Sequence, residues 1–368
     1  MSRWAWAEVE AAAVEHNIAA VVADVAPAQV WAVVKANGYG HGSVPVAEAA
    51  LRAGATGLCV ALVQEAAALR AAGVSAPILV LSEQPPSELA TALSLDLDLT
   101  VYSVAQVRAI EAAGGRQQRV HLKVDTGMHR VGAAPEVAVA LADAIAASPA
   151  THLEGVFTHL AVADDPDHPF NAVQLDRFDA VLEALAAAGH RPRWVHAANT
   201  AAAIALPRAR HQLVRVGIGT YGLLPGDGVR AHIERLGLRP ALSLLAQVSH
   251  VQRVAAGESV SYGLRHTFAA DTTVATVPIG YADGVPRGLF NGGEVLVGGR
   301  RCRIVGVVTM DQLMVDVGDL DVSVGDPVTL LGRQGDSAVP VDEWAQRMGT
   351  IDYEIVCGIS DRVQRRWQ

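Results

Sequence analysis

The sequence predicts an α/β barrel, TIM-like in its (β/α)8 alternation, followed by a mostly antiparallel β C-terminal domain. Three observations carry that prediction. Between residues 30 and 218, short apolar runs alternate with alanine-rich stretches, about eight times over. The runs read as continuously apolar rather than alternating with a period of two, as suits a parallel sheet covered on its outer side. After about Arg239 the texture turns to Val-, Thr- and Gly-rich runs, and helical stretches nearly vanish. The expected division is 1–238 for the barrel and 239–368 for the β domain, and a chain of 368 residues has the length for two domains.

Taken in order, the runs expected to form barrel strands are 30–34, 57–62, 77–82, 97–103, 119–124, 153–158, 194–198 and 213–218. Between them, stretches such as 44–52, 64–72, 104–113, 138–147 and 175–188 are rich in Ala, Leu, Glu and Arg, all strong helix formers. A doubly wound open sheet is the alternative architecture. Its dinucleotide fingerprint is missing, because Asn37-Gly38-Tyr39-Gly40-His41-Gly42 has the wrong context and spacing. In the last third, 242–254, 272–277, 294–297, 303–317 and 327–331 read as strands, and Val341–Met348 alone reads as a helix.

Composition narrows the function. Hydrophobic residues make up 51% and charged residues 18%, so extended disorder is not expected. The formal net charge of −9 argues against nucleic acid as a partner. Cys59, Cys302 and Cys357 are too few and too scattered for a disulfide framework or a zinc site, so no metal is expected and a reducing compartment is. The stretch 1–10 carries Arg3, Glu8 and Glu10 with no apolar core, and nothing later approaches a membrane span. These features predict a cytoplasmic, soluble protein.

Of the 29 basic residues only Lys35 and Lys123 are lysine. Arginine can carry surface charge equally well, but only a lysine amine can condense with an aldehyde. In a barrel the site assembles from loops at the carboxyl ends of the strands. The residues at those ends are Lys35 to Gly42, Asp125 to Arg130, His159, Asn199 with Thr200, and Arg215 to Tyr221. A lysine ending a buried strand near arginines loses some of its proton affinity and becomes a better nucleophile. Gly217 and Gly219, with the Thr200 hydroxyl, suit a phosphate without a charged side chain. Lysine and phosphate cradle together suggest pyridoxal 5′-phosphate.

The stretch Ala32-Val33-Val34-Lys35-Ala36-Asn37-Gly38-Tyr39-Gly40-His41-Gly42 closely resembles the cofactor-lysine motif of bacterial alanine racemases, the pyridoxal-phosphate isomerases of fold type III. Lys123 to Arg130, His196 to Thr200, Arg215 to Gly219, Ser261-Tyr262-Gly263 and Met310-Asp311-Gln312 are similar to that family's remaining signatures, in its order. The resemblance implies a barrel plus β domain, pyridoxal phosphate carried on Lys35, and a homodimer in which each β domain completes the partner's site. It implies D-alanine made for peptidoglycan by two bases on opposite faces of one carbon, with Lys35 serving the D-amino acid and Tyr262 the L-amino acid. His159 would support Tyr262 and in turn contact Arg215, which would also face the cofactor's ring nitrogen. Tyr39, Asn199, Thr200, Gly217, Ile218 and Tyr353 would serve the cofactor, chiefly at its phosphate. Arg130 and the Met310 backbone would hold the substrate carboxylate. Lys123 aligns with a lysine that some members carry as a carbamate, whose negative charge would steady Arg130.

Three departures from the family pattern stand out: Gly38 where alanine is usual, Thr200 where serine is usual, and Arg265-His266 after Ser-Tyr-Gly-Leu. Competing functions are a racemase of broader scope acting on serine, a fold-related decarboxylase, and a non-catalytic carrier of pyridoxal phosphate. The tyrosine motif at 262 weighs against the decarboxylase, and the whole region after Arg239 weighs against the carrier. His121 and the other histidines outside motifs read as structural, Cys302 and Cys357 as small hydrophobes in β segments, and Arg52, Arg70 and Arg108 as solvated helix charges.

Overall fold

The computed structural model describes residues 4–290 and 292–368, so Arg3 of the charged amino-terminal stretch lies outside the described residues. The chain divides into two compact units, 13–38 with 43–239, and the remainder.

The first unit is built on eight parallel strands: Gln29–Val33, Gly57–Val60, Ile78–Val80, Asp98–Val101, Gln118–Lys123, Thr151–Phe157, Trp194–His196 and Leu213–Val216. Each pairs with its sequence neighbour, except that the last pairs with the first, Trp31 standing opposite both Gly57 and Arg215. The gap beside Trp194–His196 is spanned by the Arg215 N–H donating to the Ala198 carbonyl at 3.0 Å and the Val195 N–H donating to the Gln212 side chain at 3.2 Å. The ring is therefore the expected barrel. Five of its strands are shorter than the expected runs, and every strand ends before its run does, because the last residues of each run leave the ladder to form loops. The helix Ala11–Val25 was not anticipated; its buried Asn17 donates to the carbonyls of Thr220 and Arg239 and accepts from the Arg239 N–H, so every arm of its amide is used.

The second unit holds a largely antiparallel sheet that runs, in spatial order, His250–Val254, Thr272–Val277, Leu313–Gly318, Arg300–Val305, Glu294–Val297, Pro327–Gln334, Leu242–Gln247, Ala5–Val9 and Gln364–Trp367. Here the structure differs from the expected 1–238 and 239–368 division. Ala5–Val9 pairs with Leu242–Gln247 and Gln364–Trp367, and residues 39–42 also belong to this unit. The signal was present: Ala5, Ala7 and Val9 are buried while Trp6 and Glu8 are partly exposed, the period of two of a half-covered strand. The long runs 242–254 and 303–317 each break into two strands. Val341–Met348 is the expected helix, ended by Gly349 at φ +65°, and a second helix, Asp352–Cys357, comes after it. Cys357 therefore lies on a helix and is exposed, not in a β segment. Arg70 is no simple solvated charge, since it donates to the carbonyls of Val74, Ala76, Leu95 and Asp96.

No helix among the described residues is long and apolar enough to cross a membrane.

Candidate active site

Lys35 stands two residues past the first barrel strand, at the start of a turn in which Ala36, Asn37, Gly38, Tyr39 and Gly40 all have φ between +50° and +79°. Such a left-handed run costs L-residues about 1 to 2 kcal/mol each, so the surroundings must impose it. They do so with hydrogen bonds: Gly38 N–H to the Val34 carbonyl at 2.9 Å, Ser43 N–H to Asn37 Oδ1 at 3.0 Å, and Ala36 N–H to Glu65 Oε1 at 2.6 Å. In the second unit, a Cβ on Gly40 would meet the Val356 carbonyl oxygen at 2.4 Å, and the Tyr39 and Tyr353 rings lie 5.9 Å apart.

Arg215 organises the barrel interior. It is 3% exposed, and burial pushes its pKa down to about 10, which still leaves it a cation at neutral pH. One terminal nitrogen donates to His196 Nδ1 at 2.6 Å; the other donates to the Thr158 and Ala197 carbonyls and to His159 Nδ1 at 3.2 Å. Because a guanidinium only donates, both histidines must accept at Nδ1 and carry their proton on Nε2. Burial and then the charges of Arg215, Arg130, Lys123 and Lys35 hold the His159 pKa well below its ordinary value. His159 is therefore a neutral imidazole with an Nε2–H to offer. Burial and then Arg215 and Arg130 bring the Lys123 amine down to about 8. Lys123, Arg130 and His159 line one cleft.

Thr200 Oγ1 accepts from the Gly217 N–H at 2.9 Å and the Gly219 N–H at 3.3 Å. The hydroxyl thus gathers the two glycine amides. A Cβ on Gly219 would come within 2.6 Å of Thr200 Cγ2, so this approach requires glycine. Asn199 caps the helix Thr200–Ala205 by accepting from the Ala202 N–H at 3.0 Å. Ile218 lies buried in the turn just after Gly217. An amine at a strand end, a fixed guanidinium fork and a polar cradle without a charged side chain fit an aldehyde cofactor bearing a phosphate.

In the second unit, Tyr262 sits in a short turn between Ser259–Val260 and His266–Thr267 and is 76% exposed. It lines one cleft with Tyr281, Arg287 and Met310. Close packing dictates Gly280 there, where a Cβ would meet the Thr309 and Met310 carbonyl oxygens at 2.3 and 2.4 Å.

Sequence reasoning missed Tyr281, whose signal was an aromatic directly after a glycine near the end of Thr272–Val277. It also missed His196 as a partner of Arg215, and His121 behind it. A polar residue inside the apolar run Val120-His121-Leu122 was the available clue. Among the described residues no group of His, Cys, Asp or Glu could hold a metal ion.

Two family profiles match the chain: alanine racemase N-terminal domain over residues 9–225 and alanine racemase C-terminal domain over residues 241–367. The alanine racemase of Symbiobacterium thermophilum is 48% identical over 98% of this chain and 96% of its own length. Alanine racemase 1 of Bacillus subtilis is 43% identical over 98% of this chain and 92% of its own. Among solved structures, the alanine racemase from D-cycloserine-producing Streptomyces lavendulae superposes with a TM-score of 0.94 at 38% identity, covering 100% of this chain and 98% of that one. The Bacillus anthracis alanine racemase with bound L-Ala-P gives 0.92 at 40% identity, covering 100% and 96%.

Proposed function

The chain belongs to the alanine racemase family, isomerases that interconvert L- and D-alanine with pyridoxal 5′-phosphate, and from that premise we propose that Lys35 and Tyr262 are the two bases of this racemase. Pyridoxal phosphate, when bound, draws off the electron pair left on the α-carbon as its proton departs. The chain must supply everything else. Inversion requires that one group remove the proton from one face and another return a proton to the opposite face. The Lys35 amine is assigned the D-alanine face and the Tyr262 phenol, from a second copy of the chain, the L-alanine face.

A phenol with a pKa near 10 serves as a base at neutral pH only where donors and cations stabilise its anion. The single observation that supports such an environment is the Arg215 to His159 Nδ1 hydrogen bond, which leaves a neutral imidazole presenting its Nε2–H. Arg215, which remains protonated, would offer the cofactor's ring nitrogen a hydrogen bond but not a proton. Less electron pair would then be drawn into the ring, and side reactions would fall. Thr200, Gly217 and Ile218, with Tyr39 and Tyr353, would hold the phosphate, and Arg130 with the Met310 backbone the substrate carboxylate. Lys123, partly neutral near pH 8, is suited to carry a carbamate that would steady Arg130.

We further propose a cytoplasmic homodimer supplying D-alanine for peptidoglycan. The exposure of Tyr262 and Met310 supports a partner over that face. Borohydride reduction of the holoenzyme followed by peptide mapping tests the assignment at its root. The cofactor should be found on Lys35; recovery on Lys123, or none fixed, would overturn it.

A further inference from the structure

Behind Arg215 a line of buried polar groups continues through the barrel. His196 Nε2 lies 2.9 Å from His121 Nδ1, His121 Nε2 lies 3.4 Å from Asp98 Oδ2, and Asp98 Oδ1 accepts from Arg119 Nε at 2.5 Å. His121 and His196 are wholly buried, and Asp98 nearly so. Barrel interiors are ordinarily filled with branched apolar side chains. Polar groups in that space are costly unless each finds its partner. The barrel makes room for this line: the ladder between Gln118–Lys123 and Thr151–Phe157 slips between Val120 and His121, and a Cβ on Gly155 would come within 2.3 Å of His121 Nδ1. The His196 ring is stacked on Phe157, with centroids 4.6 Å apart and planes 6° from parallel.

We propose that Asp98 and His121 are positioning residues that act through His196 to hold Arg215 in place as a hydrogen-bond donor. The chemistry of the two ends dictates the direction of the line. Arg215 can only donate, so His196 accepts at Nδ1 and donates from Nε2. His121 then accepts at Nδ1 and carries its proton on Nε2, facing the Asp98 carboxylate. Burial alone would raise the Asp98 carboxyl, but the His121 Nε2–H that faces it and the Arg119 guanidinium outweigh burial and keep the group below the usual carboxylate range, as an anion that only accepts. A cation closes one end and an anion the other. An imidazolium at His121 would not fit, because its Nδ1–H would drive the His196 proton onto Nδ1, against the guanidinium.

This inference rests on the role proposed for Arg215, yet the proton positions can be read without turnover. Nitrogen-15 spectra of the histidine rings in the holoenzyme, assigned with His121→Gln and His196→Gln, should show both rings protonated at Nε2 alone. An Nδ1–H form or an imidazolium at either ring would overturn the proposal, and that measurement needs no altered line. Asp98→Asn supplies the second test. Arg119 will claim the new amide oxygen, turning the amide N–H toward His121; both rings must then reverse, and His196 Nδ1–H will oppose Arg215. The expected result is reversed tautomers and a fall in kcat of about tenfold or more, with KM changed by less than about threefold. Adding Arg119→Leu frees the amide to rotate and should restore both the tautomers and most of kcat. Unreversed rings in Asp98→Asn, or a double variant whose losses merely add, would overturn the proposal. Reversed rings with kcat unchanged would leave the line standing and instead overturn the role assigned to Arg215.

Discussion

In the barrel unit the side chains of the candidate site are buried: Arg215 is 3% exposed, and the proton affinities of His159, Lys123 and Arg215 all fall, burial being the largest cause each time. In the β unit Tyr262 is 76% exposed and Leu264 66%, and Tyr281 and Met310 beside them are exposed too. Burial among fixed dipoles can set protonation within one chain. Tyr262 stands in solvent instead, and large apolar side chains clustered at the surface mark a face that something else covers. One half of the chemistry is prepared by folding; the other half, in our reading, waits for assembly.

The sharpest way to break that comparison is Tyr262→Phe. In single-turnover exchange, release of the α-hydrogen from L-alanine should fall by about 10² to 10⁴-fold, the usual worth of a positioned base, and release from D-alanine by far less. Equal losses in both directions would end the two-base assignment. If the two halves meet only between copies, mixing inactive Tyr262→Phe with inactive Lys35→Ala and allowing exchange should restore about a quarter of parental activity, because half the dimers then hold one intact site of two. Assembly within a single copy predicts no recovery.

A smaller effect tests the buried amine. Carbon dioxide adds only to neutral nitrogen, whose lone pair forms the new N–C bond as one proton leaves. At fixed dissolved carbon dioxide, labelling of Lys123 should therefore rise with pH through about 8, where this amine loses its proton, and not near the 10.5 of a solvated lysine. Carbon-13 spectra track the label, and Lys123→Arg should show none. The smallest effect belongs to the turn after Lys35. Gly38 has φ +61°, and a Cβ there would stand 3.2 Å from Ser43 Cα and N. Gly38→Ala should lower stability by about 1 kcal/mol, read as a lower thermal midpoint; an unchanged or higher midpoint would mean that the turn relaxes at no cost.

The barrel was legible because most of its strands are apolar runs and its helices alanine-rich, so burial is written into most runs; Gln118–Lys123, with Arg119, His121 and Lys123, is an exception. Ala5–Val9 went unread because it is short and lies next in sequence to a helix, although its pairing partners are Leu242–Gln247 and Gln364–Trp367. Lys35, Arg215, Thr200 and Tyr262 were found through their motifs. Asp98 and His121 sit in strands with no motif around them, and their relation to Arg215, through His196, exists only where side chains of four strands meet. Tyr281 and Met310 share a cleft although 272–277 and 303–317 read as unrelated strands.

By itself the sequence determined which chemistry is available: two amines at strand ends, a guanidinium in the last barrel strand, and glycines where backbone must pass closely. Only the tertiary structure decided where the protons rest. A guanidinium that donates to two ring nitrogens forces the protons of both imidazoles to the far side, and that constraint comes from distances of 2.6 and 3.2 Å between residues 19 and 56 positions apart. Residue identity names the groups able to carry a proton; the partners that folding brings within hydrogen-bonding distance select the atom that holds it.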